Sequence, residues 1–268
     1  MKLRTYFAAM LATAAIMGCG SSDSTQDARM KIEAFDAPPS PGKTVPAGVE
    51  HVYLTIDEIS VHSNEQDDWI VLSDEPTQLD FLSLVNGVTG TLADAELPPG
   101  TYSQLRLVVN AEDGASNVVV DGTTHELFIP SGTSSGVKLN LHFTVEEDEI
   151  IEVYVDVDLA RSIWWNKSGY RLQPVFKAFK KTLSGTVAGE VLDADGNPIA
   201  NATVHAISGN DTTTTIASEA GAYKLILLEG TYDVEAGADG YTSADTSYDG
   251  LAVTAGEDLV DKDFVLTQ

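Results

Sequence analysis

The sequence VYLTIDEISVH, residues 52–62, gives the clearest indication of how this chain folds. Every second residue from Val52 is apolar at first, which is typical of a strand with one buried face. The alternation then resumes at Ile59, one residue out of step. An extra residue in the strand would let both halves bury the same face, so we predict a bulge or tight turn near Asp57 and Glu58. The apolar positions on its two sides are Val52, Leu54, Ile56, Ile59 and Val61.

The same two-residue periodicity recurs along the chain, and from Met30 onward no convincing segment has apolar residues at helical spacing. Turn-forming residues separate nearly all of the apolar runs. Further predicted strands are residues 69–72, 79–84, 105–109, 118–120, 126–129, 137–143, 150–158 and 170–179. The sequence therefore predicts an all-β chain.

The N-terminal 18 residues have the composition of a cleaved export signal, with two basic residues before a short apolar run. The run is shorter than the roughly 20 residues that a membrane-spanning helix needs. Residues 16–19, IMGC, resemble the bacterial lipobox, whose cysteine is linked to diacylglycerol. Cys19 is the only cysteine, so an intrachain disulfide is excluded. An ordinary signal peptide with an incidental cysteine is the alternative.

This resemblance implies that residues 1–18 are removed and that Cys19 carries diacylglycerol and an N-acyl chain such as palmitate. Each acyl methylene buried in the bilayer contributes about 0.8 kcal/mol, and two chains give stable anchoring. Residues 19–29 are predicted to be a flexible, lipidated tether because they have no periodic apolar positions. We expect a location in the cell envelope, on the outer rather than the inner membrane, since Gly20 replaces the aspartate that retains enterobacterial lipoproteins.

The chain is strongly acidic. Residues 1–18 hold two of the 15 basic residues and none of the 41 acidic ones, so their removal changes the net charge from −26 to −28. This charge disfavours nucleic acid and phospholipid headgroups as partners of the folded body. The acyl chains are then the expected contact with the bilayer. About 250 remaining residues allow one large β domain or two ordinary ones.

Residues 30–179 resemble a family of bacterial and archaeal lipoprotein domains known as domain of unknown function 4382. The motifs that carry the resemblance are FDAP (35–38), EISVH (58–62), LDFLSLVNG (79–87), LPPGTY (97–102), IPSG (129–132), GVKL (136–139), DVDL (156–159) and LQPV (172–175). The resemblance implies a β-sandwich of exported proteins and names no activity. A boundary is expected near residues 180–184, where a lysine cluster suggests a solvated linker.

Residues 185–268 resemble the carboxypeptidase regulatory-like family, small transthyretin-like Greek-key sandwiches. The motifs are GEVLDADGNPIANATV (189–204), SEAGAY (218–223) and EGTYDV (229–234), with Asn201 where the family usually has glycine. The resemblance implies a non-catalytic module and two Greek-key-type sandwiches in tandem. It also groups the fold with starch-binding domains, which is only a weak argument for carbohydrate binding. Gly-Thr-Tyr occurs at 100–102 and at 230–232, so both domains are expected to use the same corner.

The candidate ligand platform is aromatic. Trp164, Trp165 and Tyr170 cluster beside amide and cationic residues in a predicted loop, and exposed rings with nearby amides suit stacking on a sugar. Rings that plug the end of the core are the alternative. We expect Asp156 and Asp158 on one strand face, where two carboxylates are candidates for calcium binding.

Calcium remains a weak hypothesis. A solvated edge strand also explains the pair at Asp156 and Asp158, and turn chemistry explains a second pair, Asp193 and Asp195. No zinc motif is present, and the serine-rich loop 131–136 has no nucleophile elbow. We therefore predict no catalytic residue and no other cofactor.

Three functions remain open. The first is a non-catalytic binding or adhesion module, whose candidate ligands include glycans. The second is a structural or assembly scaffold for other cell-envelope proteins. The third, a glycan-acting hydrolase, would need two carboxylates facing each other across a cleft.

Overall fold

The structure is a computed structural model that describes residues 27–36, 45–130, 135–242 and 247–268. The predicted signal peptide, Cys19 and most of the predicted tether lie outside these ranges. The strands of the first domain are β1 (Ala28–Phe35), β2 (Val49–Ser63), β3 (Asp68–Ser73), β4 (Thr77–Asp80), β5 (Gly90–Leu97), β6 (Gly100–Val109), β7 (Asn117–Val120), β8 (Thr123–Phe128), β9 (Val137–Val145), β10 (Ile150–Val157), β11 (Ile163–Asn166), β12 (Gly169–Leu172) and β13 (Phe176–Lys180).

The first domain is a sandwich of two sheets around one core. The smaller sheet has the order β13-β10-β1-β5, and the larger has nine strands, β2 to β4, β6 to β9, β11 and β12. Buried side chains from both sheets form one apolar cluster, in which Met30, Ile32 and Leu105 are fully buried. The prediction of an all-β sandwich is confirmed.

Strand β2 is the centre of the larger sheet. Along one edge it pairs with β3 and then β4, and along the other with β6 and then β7. The register with β6 shifts between Ile56 and Glu58, so Asp57 is the extra residue of a bulge. The predicted bulge is confirmed, and the five apolar side chains of the pattern are all buried because of it: Val52, Leu54, Ile56, Ile59 and Val61.

Other predicted strands differ in detail. The predicted strand 79–84 ends at Asp80, and the chain continues as a 3-10 turn over Phe81–Ser83. The predicted strand 170–179 is divided into β12 and β13, which belong to different sheets. Strand β1 begins at Ala28, so the last two residues of the predicted tether belong to the sheet instead, where Ala28 is buried.

The second domain has the strands β14 (Ser184–Asp193), β15 (Thr203–Ser208), β16 (Asp211–Ile216), β17 (Ala222–Leu228), β18 (Gly230–Gly237), β19 (Tyr248–Val253), β20 (Asp258–Leu259) and β21 (Phe264–Leu266). One sheet is centred on β14, which pairs with β17, β20 and β21, and the other has the order β16-β15-β18-β19. Asn201 has a φ of 59°. Asparagine tolerates this left-handed conformation better than most residues do, which explains how it stands in for the family's glycine.

The two domains are joined by a short, fixed connection. A single 3-10 turn, Lys181–Leu183, separates β13 from β14. The Lys181 ammonium lies 2.9 Å from a Glu152 carboxylate oxygen and 5.6 Å from the centre of the Tyr154 ring. The N–H of Glu229 donates to the Leu183 carbonyl at 2.9 Å. Lys181 is thus held by β10, and the turn that carries it is hydrogen-bonded to the residue after β17, so this part of the lysine cluster is not a solvated linker.

Within the described ranges, no helix is long and apolar enough to cross a membrane.

Candidate functional site

The candidate aromatic residues lie on a β-hairpin, not in the predicted loop. Strands β11 and β12 form it, with Trp164 opposite Arg171 and Trp165 opposite Tyr170. Successive side chains of a strand point to opposite faces, so the two tryptophans face opposite sides of the sheet. The predicted three-ring platform is therefore divided: Trp165 and Tyr170 share one face, and Trp164 lies on the other.

On the face of Trp164, the Arg171 guanidinium lies between two rings. Its central carbon is 5.4 Å from the centre of the Trp164 ring and 4.9 Å from that of Phe128 on β8. The Arg171 Nε is buried and has no hydrogen-bond partner within the described residues. Stacking on both rings compensates part of that desolvation and fixes the hairpin against β8.

At the turn end of the hairpin, Trp165 and Tyr170 border an open cleft of about 480 Å³, which Phe128 and Arg171 also line. The Trp165 side chain is 60% exposed, and the Tyr170 ring packs at 5.4 Å against the ring of His125. Leu127, opposite Tyr170 in β8, is buried, and Tyr170 packs against the core, so the cleft borders the core of the first domain. The polar lining includes His125, Glu126, Asn166 and Lys167.

This arrangement offers the groups that binding of a polar ligand needs. An exposed indole offers an apolar face for stacking, and the amide, carboxylate, imidazole and ammonium groups around it offer hydrogen bonds. Glu126 is the only acidic side chain lining the cleft as the structure describes it. Glycoside hydrolysis usually needs two carboxyl groups flanking the scissile bond.

The acidic pair at Asp156 and Asp158 is not a pair on one strand. Strand β10 ends at Val157, and Asp158 instead caps a short helix, α1 (Leu159–Ser162). The Asp158 carboxylate accepts the N–H of Arg161 at 2.9 Å. Both aspartates lie close enough to the buried Asp36 to raise the pKa of its carboxyl group, although burial is the larger cause.

The second acidic pair belongs to a turn. The Asp193 carboxylate accepts hydrogen bonds from the N–H groups of Asp195 and Asn197 and from the Asn197 amide. These bonds, those from Asn197 above all, lower the pKa of Asp193. Across the described part of the chain, no group of three or more His, Cys, Asp or Glu side chains is placed to hold a metal ion.

Sequence reasoning missed four residues of the hairpin surroundings, namely His125, Glu126, Phe128 and Arg171. Because residues 164 and 165 are consecutive, the sequence alone places their side chains on opposite faces of a strand. The sequence does not reveal the parallel pairing of β12 with β8, because this pairing joins segments more than 40 residues apart, as the Tyr170–Leu127 pair does.

The sequence model of one family, described as Domain of unknown function (DUF4382), matches residues 27–174, which is more than half of the chain. The chain belongs to the DUF4382 family. Behind its DUF4382 domain, residues 186–267 match the family described as Carboxypeptidase regulatory-like domain. Both resemblances inferred from the sequence motifs are confirmed, in the predicted order.

Among known structures, this DUF4382 protein is similar to the Bacillus anthracis TIE protein, at 14% identity and a TM-score of 0.28, over 89% of this chain and 34% of that one. It is also similar to the shaft pilin SpaA of Lactobacillus rhamnosus GG, at 10% identity and a TM-score of 0.27, over 91% and 97% of the two chains. Scores this low carry no argument about function.

A relative found by sequence is Structural protein 27 of a virus (isolate Australia/Victoria), 45% identical over 56 residues. These residues are 21% of the DUF4382 protein and 10% of the viral protein. The chain therefore spans about a tenth of the length of that relative.

Proposed function

We propose that this protein is a non-catalytic binding module of the cell envelope that takes a saccharide in the cleft beside Trp165. The observation that carries the proposal is the exposed Trp165 ring, which borders an open cleft lined by hydrogen-bonding groups. A large apolar ring left 60% exposed on the edge strand of the sheet contributes little to the core. Its exposure is consistent with a role in recognition.

The hairpin supplies its own control for this proposal. Trp165→Ala removes the ring from the cleft, whereas Trp164→Ala removes an equal side chain that does not line the cleft. We expect glycan-array binding of residues 20–268 to weaken at least tenfold in Trp165→Ala, about 1.4 kcal/mol, and to persist in Trp164→Ala. Starting at Gly20 keeps all of β1, which begins at Ala28.

The array distinguishes the open hypotheses. Equal loss in both variants would mean that the hairpin as a whole has been disturbed, and equal retention would mean that the ligand binds elsewhere. An array without any signal would favour the second hypothesis, a scaffold that contacts other envelope proteins. In both variants, near-UV circular dichroism checks that the sandwich remains folded.

We propose further that Cys19 is lipidated and that its acyl chains hold the protein on a membrane. Support comes from the sequence IMGC and from the polar residues that separate it from β1. Expressed in a bacterium that processes lipoproteins, the full chain is expected to partition into the detergent phase of Triton X-114, and Cys19→Ala into the aqueous phase. A variant Ser21→Ala, beside the lipobox, should behave as the unchanged chain does. Recovery of the unchanged chain in the aqueous phase would contradict the anchor.

A further inference from the structure

One edge of β17 is closed by a side chain of the first domain. On its other edge β17 pairs with β14. Facing the first domain, the Ala222 carbonyl accepts a hydrogen bond from Asn86 Nδ2 at 3.1 Å, and the Lys224 N–H donates to Asn86 Oδ1. A carbonyl and an N–H two residues apart are the groups that a neighbouring strand would pair with. The Asn86 amide therefore occupies the place of a next strand.

A tight turn aims Asn86 at this edge. The N–H of Val88 donates to the Val85 carbonyl at 3.1 Å, which places Asn86 and Gly87 at the two central positions. Both have a positive φ, 58° and 76°, as in a type I′ turn. A Cβ atom on Gly87 would lie 2.9 Å from the Lys224 Cδ, so glycine lets the turn approach β17 closely.

The first domain also covers the side of the second sandwich where its two edge strands meet. Phe35 and Gly87 approach Thr215 of β16 and Ile226 of β17 around a cavity of only about 10 Å³. Thr215 and Ile226 are buried, at 2% and 7% exposure. The contact at Asn86 is thus part of a packed interface and not a solitary surface hydrogen bond.

Strand β17 would be prone to intermolecular pairing if its edge were open. Its sequence, AYKLILL, carries one charge and five large apolar residues in a domain that is otherwise acidic. Apolar edge strands with unpaired backbone groups pair readily with other chains. An identical strand of a second copy presents the same backbone pattern and can pair across a two-fold axis.

We propose that Asn86 is an edge cap, which couples the two domains and keeps β17 from pairing with β17 of a second copy. This role is independent of any ligand in the Trp165 cleft. In this role, the loop 84–88 of the DUF4382 domain has the outer edge of the C-terminal module as its intramolecular partner.

The test replaces the side chain and keeps the turn. Asn86→Gly removes both hydrogen bonds, and glycine adopts a positive φ without strain. The matched control is Asn201→Gly, the same change at another left-handed asparagine, in the second domain. With residues 20–268, we expect amide hydrogen exchange at residues 222–226 to become faster by on the order of tenfold in Asn86→Gly and to stay unchanged in the control.

Light scattering on the same samples measures self-association. We expect Asn86→Gly to form a dimer as its concentration rises, while the unchanged chain and Asn201→Gly remain monomers. Unchanged exchange at 222–226 in Asn86→Gly would overturn the cap. Faster exchange with a monomer at every concentration would overturn the role against self-pairing. All three tryptophans lie in the first domain, so their fluorescence shows whether that domain is still folded in the variant.

Discussion

Two tyrosines close the same corner in both domains. The Tyr102 hydroxyl donates to the Pro98 carbonyl at 2.8 Å, and the Tyr232 hydroxyl donates to the Leu228 carbonyl at 2.9 Å. Each acceptor lies four residues before its tyrosine, and each tyrosine follows Gly-Thr. The shared corner predicted from this short repeat is confirmed. Burial is the main reason why the pKa of both hydroxyls is raised, which favours the neutral, donating form.

Removing either hydroxyl should destabilise its own domain. We expect Tyr102→Phe and Tyr232→Phe each to lower the free energy of unfolding by about 1 kcal/mol, with Tyr102→Phe the larger because that side chain is buried. Urea unfolding of residues 20–268 measures the loss. Tyr53→Phe is the control, since the Tyr53 hydroxyl has no hydrogen bond in the part of the chain that the structure describes. An equal loss in Tyr53→Phe would contradict the role of the corner.

Asp36 should make stability depend on pH. Burial raises the pKa of its carboxyl well above the usual range, the charges of Asp156 and Asp158 add to this, and the hydrogen bond from the Leu159 N–H opposes it. The folded state therefore binds this proton more tightly than the unfolded state does. The stability that the protonated Asp36 carboxyl contributes is complete below the pKa of an aspartate in the unfolded chain, about 3.9. It is lost as pH rises through the pKa of Asp36 in the folded state.

The variant Asp36→Asn tests that dependence. Its amide oxygen can still accept the Leu159 N–H, but it never ionises. We expect the melting temperature of Asp36→Asn, relative to that of the unchanged protein, to increase steadily from acidic to neutral pH. A difference that is constant over the whole range would show that Asp36 does not titrate in this way.

At the scale of the element, the bulge in β2 decides which side chains the central strand buries. With the bulge retained, inserting one further residue, a serine between Asp57 and Glu58, would put the two halves of the strand out of phase and turn Ile59 and Val61 toward solvent. Exposing two such side chains costs roughly 1.5–3 kcal/mol each, and burying the polar neighbours costs more, against a total stability of about 5–15 kcal/mol. We expect the insertion variant not to fold, as measured by loss of near-UV circular dichroism.

A substitution at Asp57 tests the role of its side chain without changing the length of the strand. Asp57→Ser keeps the number of residues and loses only the hydrogen bond from Asn110 Nδ2 at 2.9 Å. We expect it to fold with a loss of about 1 kcal/mol. If the insertion variant folded as well as Asp57→Ser, the side chains that β2 buries would not depend on a single extra residue at the bulge.

Local patterns account for much of what could be predicted. Parity along one strand was enough to place the bulge near Asp57 and Glu58, and the motifs of the two families were enough to indicate two sandwiches. Long-range pairing was not predictable: β1 pairs in parallel with β10, about 120 residues later, as Arg29 with Ile150 shows. The cleft could not be predicted for the same reason, because its second wall comes from β8. The predicted platform was wrong because it assigned Trp164 and Trp165, neighbours in sequence, to one surface.

For the whole molecule, charge is the dominant feature. Residues 20–268 have a net charge of 13 − 41 = −28, so the folded body repels itself, and salt screens this repulsion. We expect the melting temperature of residues 20–268 to rise as NaCl increases from about 0.01 to 0.5 M, a range over which the screening length falls from about 30 Å to a few ångström. KCl should act equally, because screening does not depend on which cation is used. A melting temperature that falls with salt would mean that attractive ion pairs dominate instead.

The position of β1 has a mechanical consequence. This N-terminal strand lies inside its sheet, parallel to β10 on one side and antiparallel to β5 on the other, with seven register pairs to each neighbour. A load applied through residue 27 pulls β1 along its own axis, so the hydrogen bonds to both neighbours are sheared together and cannot be unzipped one at a time. A body pulled from this end should therefore resist extension strongly, with its breaking force set by the first strand of the fold.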